Sequence, residues 1–270
     1  MKKLDIGLLS LTGIIVCCLL YSCFRNPVTG RSSLNLIDQG TMSQLSNQEY
    51  SKLISSHKTV KGGNEGKLVA KVGNKLVAAI QKYFKDRGES QVISGYTWEF
   101  NVVEENQANA WCMPGGKVVV YSGIFPITKT EAGLAVVMGH EIAHAIAQHG
   151  NERMSQGLVQ QAGGVALSVA LANKPAATRN LFNTVYGVGT TLGGTLPYSR
   201  KHESEADEMG LIFMAMAGYN PNEAVTFWQR MAEHNNGSTP EILSTHPSNT
   251  SRINHIKGFI PKAMKYYQTQ

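Results

Sequence analysis

One stretch of this chain, residues 137–147, restricts the possible folds more than any other. It is an apolar run without proline that contains the pattern H-E-x-x-H, and such a run predicts a buried helix. Residues four apart project from one face of a helix, so His140 and His144 can bind the same metal ion. Glu141 then lies close enough to take a proton from a water beside that ion. Two histidines and a glutamate buried without partners would be costly, which favours a zinc site over a chance match.

Local signals mark both ends of this helix. Thr128, with Glu131 three residues later, has the spacing of a capping box, in which two side chains satisfy free backbone amides at a helix start. Gly150, followed by Asn151, is a residue type at which helices commonly end. The pattern predicts one helix between these two signals.

The third metal ligand must come from elsewhere, because a catalytic zinc normally takes three protein ligands and a water. Residues 198–215 predict a second helix, on which Glu203 and Asp207 share a face. Glu203 can then bind the metal, while Asp207 accepts the ring N–H of a zinc-binding histidine and orients it. His202, on a different face from Asp207, is a competing third ligand. A solvated acidic face is the alternative for the other carboxylates of this helix.

Together the two motifs resemble family forty-eight of the metallopeptidases, the HtpX-like, Oma-like and CAAX prenyl protease relatives among the gluzincins. In that family H-E-x-x-H is followed by E-x-x-x-D, and the matching residues here are Glu203 and Asp207. The resemblance extends over residues 26–260. Within the family, the chain is most similar in pattern to the bacterial lipoprotein branch. Its other segments are N-P-V-T-G-R at 26–31, N-A-W-C-M-P-G-G at 109–116, and T-H-P-S at 245–248 with Arg252.

This resemblance implies a fold and a metal. The fold class is α+β and mainly helical, a gluzincin-type zinc-peptidase domain with a small antiparallel sheet. One zinc ion per chain is held by His140, His144 and Glu203. Glu141 acts as the base, and Asp207 supports a ligand histidine without binding the metal itself.

The resemblance also implies residues that act on the substrate. A histidine in a His-Pro segment, here His246, lies near the zinc in such proteins and can bind the tetrahedral oxyanion, so we count it as catalytic beside the base. Arg252 is expected to pair with the acidic motif or with the substrate carbonyl. The strand with Asn109, Ala110 and Trp111 is expected at the sheet edge beside the zinc, where it pairs with an extended substrate backbone.

The first residues predict export. A basic start at residues 1–3 is followed by an apolar run at 6–20 and by a serine directly before Cys23. This is the plan of a secretory signal, and the run is too short for a stable membrane-spanning helix. It resembles a bacterial lipoprotein signal cleaved after Ser22, with lipid on Cys23; an uncleaved membrane anchor is the alternative. Phe24 is not the aspartate that often retains lipoproteins at the inner membrane, and the resemblance implies the periplasmic face of the outer membrane.

The pattern along the chain predicts its organisation. We divide it into a signal peptide (1–22), a lipid anchor with linker and N-terminal helix (23–60), the peptidase domain (61–262) and a C-terminal tail (263–270). The linker is expected to act partly as a spacer from the membrane. Further predicted elements are helices over 41–56, 65–85, 220–235 and 248–259, and strands over 97–103, 109–113 and 117–121. The segment 157–196 predicts a connecting helix pair that either covers the active site or is simply close-packed.

Charge and cysteine content exclude other classes. The formal net charge is +6, without a basic run interleaved with aromatic residues, so nucleic acid is not predicted as a partner. Of the four cysteines, Cys17 and Cys18 leave with the signal and Cys23 carries lipid, which leaves Cys112 and no intrachain disulfide. Cys112 either fills core space or faces the metal as a thiolate that holds the enzyme off.

The sequence therefore predicts a zinc-dependent metalloendopeptidase that cleaves misfolded or unassembled cell-envelope proteins. It would be attached to the membrane through its N-terminal lipid and could work beside the outer-membrane assembly machinery. The alternative is a chaperone-like assembly factor that binds clients through the same groove. The presence of Glu141 favours cleavage, because a pure binding protein needs no base.

Overall fold

The helices and strands of the computed structural model follow most of the predicted pattern. The structure describes residues 23–60, 62–162, 175–186, 199–234, 242–243, 246 and 250–267. In chain order the helices are α1 (Gln39–Ser56), α2 (Asn64–Asp86), α3 (Phe125–Thr128), α4 (Glu131–Ile146), α5 (His149–Ala162), α6 (Pro175–Tyr186), α7 (Arg200–Met216), α8 (Glu223–Glu233) and α9 (Thr250–Ala263). The strands are β1 (Cys23–Arg25), β2 (Ser32–Leu34), β3 (Glu99–Val103), β4 (Ala110–Met113) and β5 (Lys117–Tyr121). A mainly helical α+β fold is thus confirmed.

Helix α4 lies at the centre of the fold. Every residue from Gly133 to Ile146 is buried, which requires apolar side chains around the whole circumference of the helix. Its main neighbours are α7, β4 and α2. The two histidines of this helix are therefore placed inside the protein rather than on its surface.

Both predicted ends of α4 differ from the observed ones. The cap is Thr130, whose hydroxyl accepts a hydrogen bond from Gly133 N at 2.9 Å, while Thr128 belongs to the preceding turn of helix. At the other end the helix stops at Ile146, and Gln148 takes a left-handed conformation (φ 55°) before α5 begins. Gly150 lies inside α5, where a Cβ atom would overlap the hydroxyl of Tyr186. That glycine serves a close approach between helices and does not end one.

Helices α4 and α7 cross with their backbones in contact. A Cβ atom added to Gly210 would lie 2.9 Å from the backbone nitrogen of His140, and one added to Gly139 would lie 3.2 Å from the carbonyl oxygen of Gly210. Two glycines at the crossing therefore bring the helix with H-E-x-x-H and the helix with Glu203 closer than side chains would allow.

The larger sheet is mixed, so the predicted antiparallel sheet is wrong in one pairing. Its strand order is β3-β5-β4; β4 and β5 form the expected antiparallel hairpin, but β3 runs parallel to β5. The reason lies in β5, whose Val118, Val119 and Val120 are all buried. Such a run suits a central strand covered on both faces, so β5 takes the middle position between the other two.

The two faces of this sheet belong to two apolar clusters. Ala110, Cys112 and Val118 face the large cluster that contains α2, α4 and α7. Met113 and Val119 face a smaller cluster formed with α1, α5 and α6. The helix predicted over 41–56 is confirmed as α1, but one of its faces is buried against the sheet, so this part of the chain is not a free spacer.

Some predictions fall outside the described residues. The proposed signal peptide at 1–22 is one, and 163–174 and 187–198 of the predicted connecting pair are others. Among the described helices, none is both long enough and apolar enough to cross a membrane.

Candidate metal centre

Four buried side chains bring potential metal-binding atoms to one point. His140 and His144 come from α4, Glu203 from the first turn of α7, and His246 from the residues before α9. One ligand atom from each lies within 4.8 Å of the others. These four side chains are only 1–4% exposed. The three ligands predicted from the sequence thus converge, and the structure adds His246 to them.

The spacing of these atoms fits zinc. In a tetrahedral zinc site with bonds of about 2.0–2.1 Å, neighbouring ligand atoms lie about 3.3 Å apart. His140 Nε2 lies 3.0 Å from His144 Nε2 and 3.4 Å from Glu203 Oε2. His144 Nε2 lies 3.3 Å from Glu203 Oε1. Converging imidazole nitrogens and a carboxylate suit one zinc ion.

Two buried oxygens at this point accept no hydrogen bond. They are Oε1 of Glu141 and Oε2 of Glu203, although Arg252 Nη1 approaches the latter to 2.9 Å as an ion pair. A buried polar atom without a hydrogen bond is costly, so such atoms need another explanation, such as a cation or water. We therefore find that the residues present fit a metal ion.

Asp207 contacts His140, the ligand that it was predicted to orient. Its Oδ1 lies 2.9 Å from His140 Nδ1, the ring nitrogen that faces away from the other ligands. Burial alone would disfavour the charged imidazole, but Asp207 and Glu203 outweigh it and raise the pKa of His140 to about 9. The contact fixes the ring so that Nε2 faces the ligand cluster.

Arg252 holds both acidic residues of α7. Its Nε and Nη2 donate to the two oxygens of Asp207 at 2.8 and 2.7 Å, and its Nη1 pairs with Glu203. Its guanidinium lies 3.6 Å from the ring centroid of Trp228. Burial alone would raise the pKa of Glu203, but His246 and Arg252 hold it well below its ordinary value. Arg252 thus pairs with the acidic motif, one of the two partners predicted for it, and keeps Glu203 charged.

Glu141 and His246 face each other beside the ligand atoms. His246 Nε2 lies 3.6 Å from Glu141 Oε1, while its Nδ1 lies 2.8 Å from Glu203 Oε1. Burial raises the pKa of Glu141. A raised pKa makes a carboxylate a stronger base and so favours acceptance of a proton. Whether His246 binds metal or substrate oxygen stays a prediction; its position permits both.

His202, the competing ligand, lies elsewhere. Its Nε2 is 3.1 Å from Glu152, and its ring stacks on that of His149. Among the described residues, it does not belong to the group of four whose ligand atoms converge. The geometry therefore favours Glu203 as the third ligand.

Of the residues predicted to pair with a substrate, Ala110 and Trp111 lie on β4 and Asn109 directly precedes it; the pairing itself stays a prediction. β4 is an edge strand of the three-stranded sheet, and it packs against α4. Cys112, on the same strand, is in the core, and burial together with the carboxylate of Glu141 raises its pKa well above the ordinary value. Its place in the apolar cluster favours its role as a core filler.

A second polar cluster lies next to the metal ligands, and no sequence pattern indicated it. His149 Nδ1 lies 2.9 Å from His144 Nδ1, and His149 Nε2 lies 2.8 Å from Glu205 Oε2. Glu205, expected on a solvated face, is buried and paired with Arg31 at 2.6 Å. No periodicity marks His149, because it follows a helix break. The N-P-V-T-G-R segment was noticed only through the family resemblance, which assigns it no partner.

Comparisons with known proteins agree with this site. A family model described as Peptidase family M48 matches residues 74–260. The mitochondrial metalloendopeptidase OMA1 of Schizosaccharomyces pombe is 39% identical over 179 residues, which cover 66% of this chain and 51% of that protein. The protein of the same name from Saccharomyces cerevisiae is 31% identical over 255 residues, covering 90% of this chain and 71% of its own length.

A bacterial relative is also similar. The beta-barrel assembly-enhancing protease of Escherichia coli is 29% identical over 163 residues, which cover 58% of this chain and 33% of that protein. The chain thus spans about half the length of the Schizosaccharomyces pombe relative and a third of the Escherichia coli one.

Proposed function

Because the chain belongs to peptidase family M48, we propose that it is a zinc-dependent metalloendopeptidase. The observation that carries the proposal is the convergence of His140, His144 and Glu203 beside the buried carboxyl group of Glu141. A protein that only bound its clients would need no base at this point. The names of the relatives, all metalloendopeptidases or proteases, support the same activity.

His140, His144 and Glu203 would hold one zinc ion. When bound there, zinc polarises a carbonyl oxygen and lowers the pKa of water. Asp207 keeps the ring of His140 turned toward the ligand cluster, and Arg252 keeps the two carboxylates in place. The protein thus supplies an oriented, buried set of donor atoms.

Glu141 would move the protons of the reaction. It takes a proton from the attacking water and returns it to the leaving amine, so one carboxyl group acts first as base and then as acid. Its burial raises its pKa, which brings acceptance and return of the proton closer to balance at neutral pH.

His246 would act on the developing negative charge. Its Nε2 faces Glu141 from outside α4 and can donate a hydrogen bond to the oxyanion. The edge strand β4 would hold the substrate. Backbone groups of its Ala110 and Trp111 would pair with an extended peptide. Main-chain pairing of this kind reads little sequence, which suits unfolded substrates of many sequences.

We further propose that the substrates are misfolded or unassembled cell-envelope proteins and that the chain belongs to the bacterial lipoprotein branch. The name of the Escherichia coli relative connects a similar protease with β-barrel assembly. Cys23 is exposed, as a lipid-bearing residue must be. Labelling cells with a fatty-acid analogue tests the anchor: Cys23→Ser should abolish the label, and a labelled Cys23→Ser protein would contradict it.

Glu141→Gln tests the activity. It should keep about one zinc per chain, because it removes no ligand, yet lose cleavage of a denatured protein. Glu208→Gln is a matched control, since Glu208 lies on α7 and, within the part of the chain that the structure describes, forms an ion pair with the half-exposed His255. Substantial cleavage by Glu141→Gln would contradict the mechanism. The same variant expressed in cells should retain uncleaved clients, and their identity tests the substrate class.

A chaperone-like assembly factor is the second candidate, supported by the name of the Escherichia coli relative. It predicts a wild-type protein that binds unfolded envelope proteins and cleaves none of them. Under that reading Glu141→Gln would leave the function in cells unchanged.

A further inference from the structure

We propose that His149 is a positioning residue that fixes the ring of the zinc ligand His144, and that the segment Asn26–Arg31 holds His149 in place through Glu205. This rests on the zinc site of the proposed function. It adds a second support to the site, at His144 rather than at His140, and gives a role to residues far away in the sequence.

The break after α4 creates the contact between the two histidines. On an uninterrupted helix, residues five apart point about 140° away from each other. Here α4 ends at Ile146, and Gln148 turns the chain with a positive φ of 55°. As a result His149, the first residue of α5, folds back until its Nδ1 lies 2.9 Å from His144 Nδ1.

The hydrogen-bond directions follow from the chemistry of imidazole. His144 presents Nε2 to the other ligand atoms, so in the metal-binding form its proton is on Nδ1. That N–H lies within hydrogen-bond distance of His149 Nδ1, which accepts when His144 donates. A neutral His149 then carries its proton on Nε2 and donates it to Glu205 Oε2 at 2.8 Å. Each atom in this relay has one consistent role, and the opposite tautomer of His149 would set two N–H groups against each other.

Glu205 is held by the hairpin that begins the described chain. Asn26 Nδ2 donates to its Oε1 at 2.9 Å, the Thr29 hydroxyl donates to the same oxygen, and Arg31 Nε donates to Oε2 at 2.6 Å. With His149 this makes four donors, enough to occupy both oxygens of a carboxylate. A carboxylate so occupied cannot donate, so it can only accept from His149. The hairpin thereby selects the tautomer that His144 needs.

The two zinc histidines are thus supported differently. His140 donates directly to the carboxylate of Asp207, whereas His144 reaches a carboxylate only through an intervening imidazole. Partners of this kind commonly contribute ten- to a hundred-fold to metal affinity. His149 should contribute on that scale although it does not bind the metal.

Two isosteric substitutions separate the roles of the two ring nitrogens. In His149→Asn the side-chain oxygen takes the place of Nδ1, so His144 keeps an acceptor while Glu205 loses its contact. In His149→Gln the amide reaches the place of Nε2, so Glu205 keeps a donor while His144 loses its acceptor. His149→Leu removes both. His202→Leu is the control, because His202 is equally buried and stacks on His149 but pairs with Glu152.

The experiment measures zinc affinity of the full chain by competition with a chelator. The absorption spectrum of the cobalt-substituted protein serves as a second readout of ligand geometry. We expect His149→Leu and His149→Gln to lose roughly ten- to a hundred-fold in zinc affinity and to change the cobalt spectrum. His149→Asn should lie close to the wild type in both, and so should His202→Leu, even if its folding stability falls.

The possible outcomes distinguish failure of the positioning role from failure of the proposed zinc site. Equal zinc affinity in the Asn and Gln variants, or an equal loss in His202→Leu, would overturn the positioning role while the zinc site stood. A wild-type chain that binds no zinc would overturn the zinc site and this inference together. If His149→Leu does not fold, the Asn and Gln pair still decides.

Discussion

Replacing Gly210 by alanine should damage the metal site from outside it. The added Cβ atom would lie 2.9 Å from the backbone nitrogen of His140. Comfortable contacts begin at about 3.5 Å, so α4 and α7 must separate by about 0.5 Å or more. Glu203 is on one of these helices and both zinc histidines are on the other. Metal–ligand distances tolerate only about 0.2 Å, so the displacement is too large for the site to absorb.

Gly210→Ala should change folding stability and zinc affinity by different amounts. Overpacking costs about 1–3 kcal/mol, while alanine in place of glycine inside a helix returns about 0.5–1 kcal/mol. The free energy of unfolding of metal-free Gly210→Ala should therefore fall by about 0–2.5 kcal/mol. Zinc affinity should fall by roughly ten-fold or more, because the support of the ligands is lost.

Two other glycines provide a graded series. In Gly139→Ala the new atom would lie 3.2 Å from the carbonyl oxygen of Gly210, a closer approach than usual but less severe. In Gly258→Ala, on the exposed side of α9, it would meet no atom within 4 Å. Zinc affinity by chelator competition should decrease in the order Gly258→Ala, Gly139→Ala, Gly210→Ala, with the first equal to wild type. Wild-type affinity in Gly210→Ala would refute the reasoning, since it would mean that the crossing does not set the ligand distances.

Three further predictions follow from side chains at and behind the site. Asp207→Asn should weaken zinc binding roughly ten- to a hundred-fold, because His140 loses a charged acceptor. Competition with a chelator measures the zinc affinity, and wild-type affinity would contradict the role of Asp207 in orienting His140. His246→Ala should retain zinc and lower kcat by roughly a hundred-fold, as loss of an oxyanion donor does, whereas loss of the metal would make His246 a ligand. Burial would raise the pKa of Glu152, but His202 and Arg31 outweigh it and lower the pKa from 4.5 to about 2. Because the folded pKa is depressed, this carboxylate stabilises the fold above pH 4.5, and the contribution disappears as the pH falls toward 2. Denaturant unfolding with chelator present should show a wild-type advantage over Glu152→Gln that shrinks over this window; a constant difference would contradict the pairing.

The ligands were predictable because helix periodicity fixes them locally. The four-residue spacing of His140 and His144 sets their common face whatever the rest of the chain does, and the same holds for Glu203 and Asp207. The identity of the second helix as partner came from the family resemblance rather than from spacing. The capping signal was displaced by two residues, to Thr130, because Thr128 ends its own short helix.

The support behind the ligands was not predictable in the same way. The contact of His149 depends on a left-handed Gln148, a conformation for which glutamine gives no signal. The pairing of Glu205 with Arg31 joins residues 174 positions apart, and no local pattern reports such a distance. The central place of β5 was open to prediction from its three consecutive valines, whereas its parallel partner depends on how the chain returns after β3.

The hairpin at the start of the described chain bears on how far this protein can reach. β1 begins at Cys23 itself, and Asn26, three residues later, is already buried against Glu205. Three extended residues span about 10 Å, so a lipid on Cys23 would hold the domain directly against the bilayer, with no flexible tether. Such a domain would search a surface and not a volume. Its substrates would have to come to the membrane, and a polypeptide farther from the bilayer than the width of the domain would be beyond its range.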